Sequence, residues 1–414
     1  MASRASPFGS GLSRSGVPYS QIHFMIRIPS FSAFHANAFT WNFAIGMTNL
    51  LVPLYARELG MSGVAIGSLI ALPVLIQIWL TLLGGAYADR IGPKSTSLFA
   101  CLFTIIPAVV FALSASFAGL LAGQLMLMFS RAAFWPSNWA LASELAGDRS
   151  RNMGRLNATT GAGQIAGIAL TGMVIAQWGF HVGFWVMAGV GCLSFLFSIF
   201  IAHDKPARSA RPALFSIFSI YGALLKRRSI YFAILCAYIS ALPFSLSASF
   251  YPILLVEQGF SSEATGWLLA LRAAGSIAAG VALAHLVHRA AARMPPFASA
   301  VLSAACVGLA ALFPHPLWAG LFLVGLGVGS GVMTVYFQIL ISTISSAEQR
   351  GSAMALGGLG WGLSNFSTPL ITGTLTDAYG ICVAFYALGV IVLLVGLALP
   401  AMQRWAFRGG ELPL

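Results

Sequence analysis

The sequence is short of charged residues and, above all, of acidic ones. Only 8% of its 414 residues are charged, and 10 acidic side chains stand against 22 basic ones, giving a formal net charge of +12. A soluble globular chain carries about 25% charged residues, and a disordered chain is poor in large apolar groups. Here 58% of the residues are apolar, with 10 Trp and 30 Phe. The composition excludes both classes, and a basic nucleic-acid binder would instead cluster Lys and Arg on a polar face.

Cysteine is also scarce, and it occurs without metal-ligand spacing. Because each cysteine stands alone in an apolar stretch, we interpret them as small packing residues. They are Cys101, Cys192, Cys236, Cys306 and Cys382. The chain also has no Walker-type phosphate loop. We therefore expect no metal, no cofactor and no nucleic-acid partner.

Long apolar runs dominate the chain instead. A membrane-spanning helix needs about 20 mostly apolar residues, and the sequence predicts twelve such stretches, too long and too poor in alternation for barrel strands. They are 33–56, 61–88, 95–113, 117–143, 156–176, 183–202, 230–256, 264–287, 297–313, 317–343, 352–376 and 380–402. A multi-pass protein of the plasma or inner membrane, in contact with lipid, is predicted.

The basic residues predict the orientation. With a cytoplasmic N-terminus, 19 of the 22 Lys and Arg residues fall in cytoplasmic segments, as the positive-inside rule requires. The exceptions are Arg57, in an outer loop, and Arg131 and Arg272, inside predicted spans. The charge of +12 thus indicates topology.

The polar segments divide the chain. The predicted units are a disordered cytoplasmic tail (1–30), a six-helix bundle (31–202), a cytoplasmic linker (203–229), a second six-helix bundle (230–403) and a cytoplasmic tail (404–414). The Ser- and Arg-rich tail also has the composition of a transit peptide, and Met25 is an alternative start.

The two bundles are an internal repeat. At an offset of 199, residues 53–72 match residues 252–271 at eight positions, and from residue 149 onward the offset becomes 201. Examples at the two offsets are Gly60 with Gly259 and Gly179 with Gly380. Parallel repeats of this kind place a binding site near the membrane midplane, between the halves.

One loop resembles a family signature. Residues 85–94 read G-A-Y-A-D-R-I-G-P-K, which resembles the G-x-x-x-D-R-x-G-x-K/R motif of the major facilitator superfamily. The twelve spans, the repeat and the basic central segment resemble that family as well. The resemblance implies an all-α membrane protein with twelve transmembrane helices in two six-helix repeats, the major facilitator fold, and cytoplasmic N- and C-termini.

By the same resemblance, this loop holds the cytoplasmic side shut. The residues to which it assigns gating are Gly85, Asp89, Arg90, Gly92, Lys94 and, as a partner at the end of span four, Glu144. A basic loop that only sets topology is the alternative. The second repeat keeps the bases but neither the acid nor the glycines, so an asymmetric latch is expected.

Span five carries a second motif. Its residues 163–172 read G-Q-I-A-G-I-A-L-T-G and resemble the antiporter motif of the same family, with Ile168 in place of the proline. Gly163 and Gly167 form a small-x-x-x-small face, which favours close helix packing. The missing proline weakens any inference about antiport or export, and Pro369 stands at the matching position of the other half.

Two arginines are predicted to lie deep in the membrane. Intramembrane charge is costly and usually faces a cavity, yet all ten acids lie at predicted span ends or in loops. A substrate anion is therefore an attractive partner for Arg131 and Arg272. The alternatives are hydrogen bonds from Arg131 to Gln124 or to carbonyls near Pro136, and an Arg272 side chain that reaches toward Glu263 or Glu257.

Polar and aromatic stripes on four spans support a cavity around these arginines. Spans three, six, nine and twelve have almost no such residues, as lipid-facing helices would. The predicted substrate-binding residues are Arg131, Arg272, Trp135, Asn138, Asn42, Asn49, Tyr336, Gln338, Trp361 and Asn365.

The sequence therefore predicts a secondary active transporter and not an enzyme. Its cargo would be a small organic molecule, anionic or amphiphilic, moved by alternating access and more readily by export. Uptake or exchange of organic anions is the alternative, and a non-transporting sensor is a distant one. Proton coupling is left open, with His35 or Glu58 as carriers, and a monomer is expected.

Overall fold

A computed structural model describes residues 30–145, 148–201, 221–282, 294–345 and 350–408, without the side chains of 30, 81–91, 149–150, 281 and 350–352. Every regular element in these ranges is a helix, so the all-α prediction is confirmed for them. The helices are α1 (Ser30–Glu58), α2 (Gly63–Ile91), α3 (Pro93–Leu113), α4 (Phe117–Glu144), α5 (Arg149–Ile199), α6 (Arg228–Ser247), α7 (Tyr251–Glu257), α8 (Ser262–Ala282), α9 (Met294–Ala310), α10 (Pro316–Ile344), α11 (Arg350–Tyr379) and α12 (Ile381–Ala406).

Seven helices in these described ranges are long and apolar enough to cross a membrane. They include α3, α4, α6, α10 and α12. The protein is therefore a multi-pass membrane protein. The full count of twelve crossings, the cytoplasmic termini and the five-part division of the chain stay predictions.

The helices follow the predicted stretches with two differences. Spans five and six form one element, α5, in which Gly179 breaks the helical path with φ 79° and ψ 177°. Span seven is divided into α6 and α7, and α7 begins next to Pro252. Proline has no backbone N–H to continue a helical ladder, so a break in front of it has little cost.

The internal repeat is visible in the backbone. Gly60 and Gly259 have φ values of 75° and 90°, and Gly179 and Gly380 have φ values of 79° and 85°. Each pair occupies matching positions of the two repeats. Positive φ is readily adopted only by glycine, so the same tight turn is built in each half by the same residue.

The two halves also cross in matching ways. A Cβ on Gly67 of α2 would meet the carbonyl oxygen of Pro369 in α11, and one on Gly266 of α8 would lie 3.0 Å from the carbonyl oxygen of Ile168 in α5. Pro369 and Ile168 are themselves matching positions. These crossings, α2 with α11 and α5 with α8, join the halves with approximate two-fold symmetry.

Among the described side chains, the apolar core is continuous between the halves at one end of the bundle. One cluster of buried side chains, including Leu50, Phe184, Leu254 and Leu323, joins both halves. Toward the other end the core separates into one cluster in each half. We call the joined end, where α1 ends and α2 begins, the sealed end. By the charge pattern it is the predicted outer side.

Close backbone contact holds α1 against α5. A Cβ on Gly163 would meet the carbonyl of Phe39, and one on Gly167 would meet the carbonyl of Phe43. The small-x-x-x-small face of span five is thus a packing surface, because only glycine leaves room for the neighbouring backbone.

Candidate central binding cavity

A cavity of about 470 Å³ lies between the two halves. Its wall comes from α1, α2, α4 and the first part of α5 on one side, and from α6, α8, α10 and α11 on the other. Among the described residues, α3, α9, α12 and the second part of α5 contribute nothing to it. These are the segments that the sequence marks as lipid-facing.

The repeat places matching positions on opposite walls. Eight pairs of lining residues are related by the offsets of 199 or 201. They are Ile45 with Phe244, Asn49 with Ala248, Val74 with Ala273, Gln77 with Ser276, Arg131 with Ser330, Trp135 with Thr334, Thr160 with Trp361, and Gln164 with Asn365. The cavity therefore lies on the approximate two-fold axis, where rocking of the halves would change its access most directly.

Arg131 projects from α4 into this cavity. Its Nη2 lies 3.5 Å from the hydroxyl oxygen of Thr48 in α1, a long and weak hydrogen bond. Its Nε is buried with no hydrogen-bond partner. A guanidinium has five N–H donors, so this one long contact to Thr48 uses little of its bonding capacity.

Arg272 enters from the opposite half, on α8, and is only 4% exposed. Its guanidinium carbon lies 5.9 Å from the centre of the Phe244 ring, and its Nε is also buried without a partner. Phe244 packs on Trp361 with ring centres 5.3 Å apart, and Trp361 donates its indole N–H to Ser240 Oγ at 3.2 Å. Aromatic contacts thus position this cation.

The acids do not reach the cavity. Glu257, one suggested partner of Arg272, accepts a hydrogen bond from Arg57 Nη2 at 2.6 Å. No acidic side chain and no histidine is among the cavity-lining residues, all of which belong to the described ranges. The cavity carries two positive charges that the protein wall does not balance.

Five other predicted residues line the cavity together with the arginines. Two of them, Asn42 and Asn365, donate their amide N–H one helical turn back, to Ala38 (2.9 Å) and Trp361 (2.8 Å). The five are Asn42, Asn49, Trp135, Trp361 and Asn365.

Three predicted residues lie elsewhere. Asn138 is fully buried and donates to the Phe134 carbonyl at 3.0 Å. Tyr336 is buried and its hydroxyl accepts a hydrogen bond from Gln403 Nε2 at 3.0 Å, whereas Gln338 is exposed. At about 100° per residue, Tyr336 is turned away from the face of α10 that carries Thr334 into the cavity, whereas Gln338 lies on that face one turn further along, beyond the cavity lining.

Several polar lining residues were not predicted. Gln77 of α2 is one, and Asn157, Thr160 and Gln164 of α5 are others. The last three are spaced by three and four residues and so share one helix face. That spacing was a usable signal, whereas Gln77 stands alone in an apolar run.

The signature loop is described only in part. The side chains of Gly85, Asp89 and Arg90 lie outside the described residues. Gly92 has φ 89° and ψ 150° and directly precedes Pro93, the first residue of α3. The turn between α2 and α3 thus requires a glycine at this position, because positive φ is readily adopted only by glycine.

The other two residues of the predicted gate are described. Lys94 is half-buried in the first turn of α3, and Glu144 is exposed in the last turn of α4. The gating role of the set stays a prediction.

A carboxylate joins the two halves at the sealed end. Asp377 of α11 accepts hydrogen bonds from the backbone N–H groups of Gly63 (2.5 Å) and Val64 (2.8 Å), so it caps α2 of the other half. Burial raises the pKa of Asp377, but these N–H donors, the Ser62 hydroxyl and the Arg57 charge outweigh it and hold the pKa below its ordinary value. The positive end of the α2 dipole acts in the same direction.

A two-repeat helical bundle with a cavity on its pseudo-two-fold axis is typical of secondary membrane transporters. The sequence profile of the Major Facilitator Superfamily matches residues 36–329 and 233–408. The chain belongs to this superfamily, which confirms the resemblance of the signature loop.

Two curated relatives illustrate the range of similarity. The chain is 25% identical over 170 residues to the quinolone resistance protein NorA of Staphylococcus aureus. The aligned region covers 41% of this chain and 44% of that protein. It thus matches less than half of that relative's length. It is 28% identical over 362 residues to the 3-(3-hydroxy-phenyl)propionate transporter of Escherichia coli strain K12, covering 80% of this chain and 85% of that protein.

Solved structures show the same fold. A mutant of the nucleoside transporter NupG matches with a TM-score of 0.79 at 14% identity, over 92% of this chain and 100% of that chain. A bacterial homologue of the human lysosomal transporter Spinster matches with a TM-score of 0.73 at 17% identity, over 92% and 98%.

Proposed function

We propose that this protein is a secondary transporter that moves a small organic anion across the membrane by alternating access. The observation that carries the proposal is the pair Arg131 and Arg272, one from each half, in a cavity whose lining contains no acid. A guanidinium cannot discharge by losing a proton at accessible pH. An anionic ligand is the group that would balance both cations.

An aromatic carboxylate fits this cavity best. Its volume of about 470 Å³ is within the range of sites for small organic ligands, roughly 300–1,000 Å³. Trp41, Trp135, Phe244 and Trp361 supply flat apolar surfaces beside the arginines. The relative that aligns over most of the chain is named for transport of 3-(3-hydroxy-phenyl)propionate, an aromatic carboxylate.

The separated cores support alternating access. The halves share one apolar core at the sealed end and have separate cores at the other end. Separate cores allow the halves to part there without breaking either one. With the predicted orientation, the end at which the halves would part faces the cytoplasm, in the plasma or inner membrane.

Two directions of transport have support. The sequence favours export, and the partial similarity to a quinolone resistance protein is consistent with it. The longer similarity to a protein named as a hydroxyphenylpropionate transporter favours the alternative, uptake or exchange of organic anions. Accumulation or depletion of 3-(3-hydroxy-phenyl)propionate in cells that express the chain separates the two.

The first test is ligand binding to the purified protein. We expect 3-(3-hydroxy-phenyl)propionate and benzoate to raise its melting temperature, whereas the corresponding neutral amides do not. Arg131→Gln and Arg272→Gln should each remove this response, because each deletes one half of the anion site. Arg404→Gln, the same change at an exposed residue of α12, is the matched control. An unchanged response in both cavity variants would refute the anion site.

A further inference from the structure

We infer that the second half of the protein binds the headgroup of an anionic phospholipid at the end of the bundle away from the sealed end. The site lies where α6 begins and α12 ends. It is separate from the central cavity and does not depend on the proposed function. Five exposed basic side chains form it, and we call them the basic patch: Lys226, Arg227, Arg228, Arg404 and Arg408.

Aromatic packing brings the two helix ends together. The guanidinium carbon of Arg228 lies 5.4 Å from the centre of the Trp405 ring. Behind this pair, the rings of Phe232 and Phe407 meet edge to face with their centres 6.1 Å apart, and Phe232 is buried in the apolar core of this half. The charges of α6 and α12 are therefore held side by side on a packed base.

The protein does not neutralise the basic patch. Arg227 Nη1 donates to the carbonyl of Ile344 in α10 at 3.3 Å, and Arg404 Nε donates to the carbonyl of Pro400 at 3.2 Å. These carbonyls orient the guanidinium groups without balancing their charge. The sequence has no acid within 205–256 or 378–410, and no described side chain forms an ion pair with the patch. Such a surface attracts anions.

An apolar path for an acyl chain continues from the patch along α12. Leu394, Leu397 and Ala401 are exposed, and Arg404 and Arg408 follow them at the same alternating spacing of three and four residues, so all five share one helix face. From Leu394 to Arg404 the helix rises about 15 Å, which is about half of a hydrocarbon core of roughly 30 Å. This match to one leaflet favours a lipid, because free phosphate would leave the apolar face uncovered.

Two aromatic side chains indicate the depth of the patch. Tyr231 is 48% exposed and Trp405 is 37% exposed, and both residue types favour the boundary between membrane and water. With the predicted orientation, this boundary is the cytoplasmic one, where anionic lipids give a negative surface potential. Basic residues at this level are placed to meet lipid phosphates.

The positive-inside rule does not by itself account for the clustering. The first half has the same predicted orientation, yet only one of its five matching positions is basic. The pairs are Lys226 with Arg27, Arg227 with Ile28 and Arg228 with Pro29 at an offset of 199, and Arg404 with His203 and Arg408 with Ala207 at an offset of 201. The patch is therefore a feature of the second half that neither topology nor the repeat requires.

The test measures binding of radiolabelled dioleoyl-phosphatidylglycerol to the purified full chain in detergent. We expect unlabelled dioleoyl-phosphatidylglycerol to displace the label at a much lower concentration than dioleoyl-phosphatidylcholine, which has the same acyl chains and no net charge. Added potassium chloride should weaken binding, because it screens exposed charges. Sodium phosphate at the same ionic strength should weaken it no further.

Paired substitutions locate the site. Arg228→Gln with Arg404→Gln removes one cation from each helix end, and we expect about thirtyfold weaker binding, or about fivefold for each charge near a lipid surface. Arg228→Lys with Arg404→Lys keeps both charges and should retain most of the affinity. The matched control is Arg151→Gln with Arg155→Gln in α5. Both of these arginines are exposed, and Arg155 also lies 5.4 Å from the centre of an aromatic ring, that of Phe31.

The outcomes are distinct. Equal affinity for the two lipids, or an equal loss of affinity in the Gln pair and the control pair, overturns the site. Displacement by phosphate beyond the salt effect overturns a lipid as the occupant. If the Gln pair fails to fold, Lys226→Gln with Arg408→Gln takes its place with the same expectation, since these exposed side chains have no hydrogen bond or ring contact among the described residues. Normal binding in that pair equally overturns the site.

Discussion

At the scale of single residues, the two cavity arginines are held in different ways. Arg131 has a long contact to one hydroxyl, whereas Arg272 lies against the Phe244 ring, which is itself packed on Trp361. The second arginine is thus more closely preorganised, and its position depends on an aromatic neighbour that is also part of the cavity wall.

This difference predicts the effect of Phe244→Leu. Loss of a cation–π contact worth about 0.5–2 kcal/mol should weaken binding of 3-(3-hydroxy-phenyl)propionate by about two- to thirtyfold, measured by titration calorimetry. Phe244→Tyr keeps the ring and should bind normally.

The dependence on Arg272 can be checked separately. Thermal unfolding without ligand is the readout, since Arg272→Gln already removes binding. In an Arg272→Gln background, Phe244→Leu should lower the melting temperature less than it does in the wild type, because the cation that the ring contacts is gone. Additive losses in the double variant would show that Phe244 stabilises the protein without acting through Arg272.

At the scale of elements, glycine determines how closely helices approach. Gly163 of α5 faces the backbone carbonyl of Phe39 in α1, whereas Gly189 of the same element has open space where its Cβ would lie. Both are helical glycines in α5, so they form a matched pair for the cost of crowding.

Gly163→Ala should therefore destabilise the protein by about 1–3 kcal/mol, as overpacking does. Gly189→Ala should be neutral or stabilising by up to about 1 kcal/mol, because alanine is the better helix former. Thermal unfolding in detergent measures both. If the two variants melt at the same temperature, the close approach of α1 and α5 is not a source of stability.

At the scale of the whole molecule, the sealed end is closed by groups that cross between the halves. Asp377 caps α2 and Arg57 pairs with Glu257. The pseudo-symmetric position to Asp377 in α5 is Ala176, so this cap exists at only one of the two crossings. Opening of the sealed end must break it.

The lowered pKa of Asp377 makes this closure dependent on pH. The ionised carboxylate is favoured in the sealed state, so its contribution to closure is complete above its ordinary pKa of about 4. It is lost as the pH falls through the lower pKa of the sealed state. Acidification from pH 7 to below that lowered pKa should thus weaken the closure of this end, and Asp377→Asn should weaken it already at pH 7.

Spin labels on opposite halves measure this opening. The exposed native thiols are first removed by Cys192→Ser and Cys382→Ser. Labels are then attached at two exposed positions of the sealed end, Ala115→Cys between α3 and α4 and Pro314→Cys between α9 and α10. Asp148→Asn is the control, since Asp148 caps α5 within one half. Distances that do not change in Asp377→Asn would show that the cap does not hold the halves together.

Much of the candidate site follows from the sequence. Asn42, Asn49, Trp135, Trp361 and Asn365 stand in stripes at helical spacing, and the structure places them in the cavity wall. Tyr336 was included as the match of Trp135 at an offset of 201. The N-cap residues of α4 and α10, Ser116 and His315, are 199 residues apart, however, and at that offset the match of Trp135 is Thr334, which lines the cavity. The sequence alone did not show where along the chain the offset changes.

The sequence by itself determined the helical class, the superfamily, the internal repeat and the presence of two charges without deep acidic partners. Each depends on composition, spacing or a local motif, which a linear chain displays directly. Only the tertiary structure decided that the two arginines line one cavity, that Asp377 caps a helix of the other half, and that the halves share an apolar core at the sealed end. These are contacts between residues more than 100 positions apart, such as Asp377 with Gly63, and they exist only once packing has fixed the rotation and crossing of each helix.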